Sequence, residues 1–323
     1  MGFLQRVVFN NGFKVLIRAS SSFSKASESV YRYQPGHVLD EGEKFPKASN
    51  EMKEDFKNNG FLLVKHLLTE VEIETLSPAL VGDQAFYDKM GYFRKDQRWG
   101  LVLWTEQGND FLGVMAGSAK IAGIAQQLLD RGEVYLYHGK LLRKEAKEGG
   151  AAEWHQDYAH WYDNELVFPD LVACTIALTQ SDRLNGGTSV LKGSHRCGRI
   201  EHEVTRTQQG ADADRVALIT KALPQVDIDM APGDGVFLHS NILRHSGPNP
   251  SEHLRAHLKF VYNAKHNAPS VKHDYSDATY SPLNIHPADA MSKVKDLTVE
   301  QRGWRQTEQD RLEGMEHDTI WDL

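Results

Sequence analysis

Residues 171–191 read LVACTIALTQSDRLNGGTSVL. An apolar run from Leu171 to Leu178 is followed by a polar stretch, the triplet Asn185-Gly186-Gly187, and a second short run from Thr188 to Leu191. Runs of this length, bounded by turn residues and carrying Val172, Thr175 and Ile176, predict buried strands rather than helices. Pro232-Gly233-Asp234 marks another turn, and strands are expected over Gly235–His239 and Arg255–Tyr262, with one more upstream over Val134–Arg143. Strands at modest spacing, without alternating helices between them, argue for a sandwich or jelly roll and against βαβ units. No internal repeat is present.

Before Gly132 the texture is helical. Met52–Asn58 and Ser118–Leu129 carry helical patterns, and Thr69-x-x-Glu72 is a capping box opening a helix to about Leu80. Gly60–Lys65 is expected to be a short strand between the first two helices. Ser29 to Asn50 reads as a polar linker, and the charged tail from about Ser292 opens with Thr298-x-x-Gln301, a second potential cap. The expected division is an N-terminal extension over 1–49, one folded domain over 50–290, and a charged C-terminal helix or tail over 291–323.

The chain has 323 residues, a formal charge of −7 and no basic run, which argues against a nucleic-acid-binding face. No apolar stretch approaches the length of a membrane span. Cys174 and Cys197 cannot build a disulfide framework, which suits a reducing compartment. Residues 1–27 contain no acid, hold Arg6, Lys14, Arg18 and Lys25, and end in a Ser-rich run. An organelle transit peptide and a hairpin around Asn11-Gly12 both fit that segment, so cytoplasm and mitochondrion both stay open.

Signatures of P-loop NTPases, dinucleotide-binding folds, serine hydrolases and zincins are missing from the sequence. What stands out is His155-Gln156-Asp157. In an extended segment, residues i and i+2 project to one face, so the imidazole and the carboxylate can converge on a metal while Gln156 points away. Chance alone supplies about one His-x-Asp in a chain of this composition, so the motif needs support. A 2-His-1-carboxylate iron site requires a further histidine from a separate strand. The segment 232–249 offers two, His239 and His245.

Taken together, Phe56-x-x-x-Gly60-Phe-Leu-Leu-Val, Trp154-His-Gln-Asp157-Tyr, Asn185-Gly186 with Gly193-Ser-His195, Pro232-Gly-Asp234, and His245-Ser-Gly-Pro-Asn249 with Arg255 beyond it resemble the phytanoyl-CoA dioxygenase family. The resemblance covers about residues 50 to 265. It implies a mainly β fold with buttressing helices, a double-stranded β-helix of jelly-roll, cupin-like type. It also implies Fe(II), with 2-oxoglutarate and O2 as cosubstrates, and hydroxylation of a small molecule with release of succinate and CO2. The family's metal ligands fall on His155, Asp157 and His245, with His239 the second choice for the last. Asp157 in the carboxylate position favours hydroxylation over halogenation.

By the same resemblance, Arg255 binds the distal carboxylate of 2-oxoglutarate, a task suited to a guanidinium fork that stays charged when buried. A surface salt bridge is its alternative, since Arg255, His257 and Lys259 share one strand face. Lys140 occupies a cosubstrate position, or else a charged strand edge beside His138. Thr175 is a weaker candidate for the same pocket. Tyr158, His160, Trp161 and Tyr162 either wall the substrate pocket or simply pack, and Trp154 is expected to fix the imidazole beside it. Two other readings remain: a cupin-like metalloenzyme that does not use 2-oxoglutarate, and a non-catalytic binding protein of the same fold. Neither the substrate nor the oligomeric state is legible.

Overall fold

The computed structural model describes residues 30–32, 48–82, 92–94, 99–163, 166–205, 208–269 and 280–298. The N-terminal hairpin or transit segment, most of the linker and the tail beyond residue 298 lie outside these residues.

Helix α1 (Asn50–Asn59) starts at Ser49, whose hydroxyl accepts the Met52 N–H, and stops at Gly60, which adopts φ +79°. Helix α2 (Glu70–Val81) carries the expected capping box, with Thr69 and Glu72 bonding each other's backbone. Helix α3 (Phe111–Ala116) is capped by Asp110, and α4 covers Ala122–Leu129. The expected start at Ser118 is corrected to Ala122: Ser118 bridges His286, whose carbonyl accepts the Ala119 N–H. That contact draws the preceding residues out of helical geometry.

The major sheet has eight strands: β1 (Val30–Arg32), β2 (Phe61–Lys65), β3 (Tyr92–Arg94), β4 (Trp99–Trp104), β5 (Val134–Lys144), β7 (Leu171–Ala177), β12 (Gly235–His239) and β14 (Arg255–Ala264). Their order is β1-β2-β12-β7-β14-β5-β4-β3. The minor sheet, ordered β11-β8-β13-β6, comprises β6 (Ala152–His155), β8 (Thr188–Leu191), β11 (Gln225–Asp227) and β13 (Arg244–Ser246). A ribbon of β9 (His202–Thr205) and β10 (Gln208–Ala211) completes the strands among the described residues. Two facing sheets form an open jelly roll, not a closed barrel. Helix α5 (Asp157–Asp163) follows β6, and α6 (Ala213–Ala222) packs outside the minor sheet.

Alternation along the central strands sorts two cores. Val172, Cys174 and Ile176 of β7, with Leu258 and Phe260 of β14, face α1 to α4 and bury a large apolar layer. Ala173, Ala177, Val236, Leu238 and Val261 face the minor sheet, where Val190 meets them. This second, inner face also carries the polar residues of interest. Turn chemistry holds the layers in place: Asp234 accepts from the His66 and Ala231 N–H groups and from Lys65 Nζ, with Gly233 beside it at φ +89°.

A cationic site between the two sheets

Period-2 geometry aligns Arg255, His257 and Lys259 on the inner face of β14, opposite Lys144, Leu142 and Lys140 of β5. All of these are buried, so neither a surface salt bridge at Arg255 nor a charged edge at Lys140 describes them. Thr175 stands opposite Lys259 on the same face. Gly186, at φ +77°, turns its carbonyl inward to accept from Arg255 Nη1 at 2.7 Å and Lys144 Nζ at 3.4 Å. Among the described residues, the Nε of Arg255 and the Nε2 of His257 are buried without a hydrogen-bond partner. Burial first, then Arg244, lowers Arg255 to about 9, which leaves it charged at neutral pH. Burial, followed by the surrounding Arg255, Lys144 and Arg244, holds His257 neutral.

His155 and Asp157 meet here, though not through one extended segment. β6 ends at His155 and α5 begins at Asp157, which corrects the extended reading of His-x-Asp. Gln156 makes the turn: its amide donates to the carbonyls of Gly198 and Asn241 and accepts the Ile200 N–H. His155 Nδ1 donates to the Glu153 carbonyl at 2.6 Å, leaving Nε2 as the lone-pair nitrogen, 3.6 Å from Asp157 Oδ1. Burial, with Arg244 adding to it, depresses His155 to about 3.

The expected third ligand is elsewhere. On β13, Arg244 stands opposite His155 and Val190, so its side chain shares their inner face. His245, one residue on, points to the outer face, opposite Ser189 and with its ring 4.1 Å from that of Trp154. Trp154 therefore packs on His245 and does not fix His155, whose anchor is Glu153. His239, the second choice, lies near His195, with ring centroids 5.0 Å apart. Among the described residues, no three His, Cys, Asp or Glu side chains converge on one point.

Arg244 takes the place opposite His155. Its Nε and Nη2 donate to Asp157 Oδ1 at 3.0 and 2.5 Å, while Lys259 Nζ donates to Oδ2 at 2.9 Å. Asp157 is 4% exposed, so both of its oxygens are engaged by cations in a dry environment. Removing one partner of such a buried pair costs about 3–5 kcal/mol, because the other charge is left uncompensated.

Trp161 walls the inner face, edge-on to His138 and 6.0 Å from Lys259 Nζ. The Tyr158 hydroxyl donates to the carbonyls of Leu166 and Val167, a packing role. Tyr162 is 47% exposed, beneath the Arg199 guanidinium and edge-on to the Tyr158 ring. Sequence reasoning missed Arg244, Lys144 and Lys259 as parts of the site. The signal for Lys259 was its shared face with Arg255; for Arg244 it lay in the pairing of β13 with β6, which no local pattern announces.

Residues 56–257 match the family Phytanoyl-CoA dioxygenase (PhyH). The chain belongs to this family. An L-proline trans-4-hydroxylase of Streptomyces griseoviridis is 28% identical over 68% of this chain and 88% of its own length. An ectoine dioxygenase of Stutzerimonas stutzeri (strain A1501) is 26% identical over 73% and 87%. Crystal structures of EctD from S. alaskensis, one with bound Fe and one with 2-oxoglutarate and 5-hydroxyectoine, superpose with TM-scores of 0.65 and 0.64 at 19% and 20% identity, each covering 74% of this chain and 88% of theirs. They share the jelly-roll fold; the two relatives are by name a hydroxylase and a dioxygenase, and the EctD structures hold Fe in one case and 2-oxoglutarate in the other.

Proposed function

We propose that the inner face around Arg255 binds 2-oxoglutarate or a close dicarboxylate, the cosubstrate of the Fe(II)-dependent dioxygenases among the chain's relatives. The observation that carries this is a buried guanidinium with an unpartnered Nε, next to Lys144 and the unpartnered Nε2 of His257. A carboxylate set there satisfies these donors and balances a face rich in cations. Thr175 and Lys140, on the same face, flank the ligand's path.

Family membership and the relatives' names support the fuller reaction: hydroxylation of a small molecule, with 2-oxoglutarate and O2 consumed and succinate and CO2 released. Bound Fe(II) supplies the redox chemistry in that class. His155 is the part of an iron site that this chain keeps in place, with its Nε2 lone pair directed inward. The remaining donor set does not fit three-ligand iron, since Asp157 is engaged by Arg244 and Lys259 and His245 is on the outer face. That ion-paired arrangement favours a second reading, a 2-oxo acid-binding protein of the same fold that works without metal.

Anaerobic titration of the chelator-treated protein with Fe(II) and then 2-oxoglutarate separates the two. A visible charge-transfer band supports the dioxygenase, and succinate release then screens substrates. Calorimetric binding of 2-oxoglutarate without the band supports the metal-free reading. If 2-oxoglutarate binds under neither condition, the ligand assignment fails.

A further inference from the structure

We infer that Arg244, together with Lys259, occupies the place of the divalent cation beside Asp157, so that this chain's ligand site is complete without metal. The inference rests on the carboxylate-binding reading above for its ligand, but not for its metal prediction.

Four observations lead to it. The β13–β6 register puts Arg244 directly opposite His155 on the inner face, which is where a ligand from this strand must stand to share a metal with His155 and Asp157. The guanidinium already spans from that strand to Asp157 Oδ1, and Lys259 Nζ reaches Oδ2 from the opposite sheet. A divalent ion joining this cluster would face two fixed cations across one carboxylate, with Arg255 and Lys144 behind them. Finally, strand alternation aims the Cβ of His245 at the outer face, opposite Ser189, where its ring packs tilted against Trp154.

The two cations do for the site's architecture what an ion does elsewhere: they hold Asp157 at the start of α5 and tie the minor sheet to β14. They cannot do a transition metal's redox work. The site is then an anion receptor of fixed shape, with selectivity for small dicarboxylates set by Arg255, Lys144 and His257.

The test uses the full chain, stripped with chelator and titrated with Mn(II) under electron paramagnetic resonance, alongside Arg244→His. The wild type is expected to leave Mn(II) free and to bind 2-oxoglutarate equally well with and without chelator. Arg244→His, which supplies an imidazole opposite His155, is expected to bind roughly tenfold more Mn(II) or better. One equivalent of Mn(II) on the wild type, lost in Asp157→Ala, overturns the inference. So does an Arg244→His protein that melts cooperatively, as the wild type does, yet takes up no Mn(II). Should that variant fail to fold, the wild-type titration and the chelator comparison decide the matter alone. A wild type that binds neither Mn(II) nor 2-oxoglutarate removes the carboxylate reading while leaving the metal inference standing.

Discussion

Asp157 is the residue on which the two descriptions of this site differ most sharply. In a three-ligand metal centre stripped of its ion, neutralising the carboxylate relieves a site built for positive charge. Here the carboxylate joins Arg244 and Lys259 in two buried ion pairs. Asp157→Asn should therefore destabilise the chelated protein by about 3–5 kcal/mol in urea unfolding. A change under about 1 kcal/mol would show that the ion pairs contribute little, as exposed pairs do. Arg255 makes a different prediction, because its open donor is directed at a ligand rather than at Asp157. Arg255→Ala should weaken 2-oxoglutarate by about ten- to a hundredfold in calorimetry, the loss of a charge-assisted pair. An unchanged affinity would move the ligand off this face.

At the scale of elements, local chemistry and long-range pairing contribute separately. The Thr69–Glu72 box, the turn at Gly186 and the strands over 188–191 and 235–239 are legible in sequence because each depends on neighbours a few residues away. Strands β6, β11 and β13 are short and polar, and exist because other strands pair with them. The sequence also hides a second duty of Glu72: besides capping α2, it receives Lys120 Nζ at 2.6 Å in the interior. Burial lowers Lys120, and Glu72 opposes that shift. Glu72→Ala should cost about 3–5 kcal/mol, well beyond the ~1 kcal/mol of a lost cap, since it strands a buried ammonium. In Glu72→Ala/Lys120→Met much of that cost should return, and a denaturant double-mutant cycle measures the coupling.

For the whole molecule, the inward histidines tie stability to pH. His155 falls from 6.5 to about 3, chiefly through burial and then through Arg244. A histidine depressed in the folded state is protonated first in the unfolded chain, so its stabilisation is present above pH 6.5 and is lost as pH falls from there towards 3. Between pH 7 and pH 5 His155 alone should remove about 2 kcal/mol. His257, also held neutral by burial and neighbouring cations, adds in the same direction. Urea unfolding with chelator present, followed from pH 7.5 to 5, checks the slope, and the His155→Gln protein should show a shallower one.

What the sequence determined by itself was the family, the jelly-roll class, the main strands and helices, and a conjunction of His155, Asp157 and Arg255 in one region. These follow from short-range pattern and from motifs in a fixed order. Which face each side chain meets was decided only by tertiary pairing. The difference between His245 and Arg244 is a single residue in a strand of period 2, and one step along such a strand moves a side chain from the interior to the outside. Read locally, His245-Ser-Gly-Pro-Asn249 presents a histidine; once β13 is registered against β6 and β8, it is Arg244 that faces His155 and Asp157. Lys140 and Lys259 teach the same lesson, since a lysine on a strand reads as an exposed edge until a second sheet covers it; for Lys259 a carboxylate from elsewhere in the chain, Asp157, makes the burial tolerable.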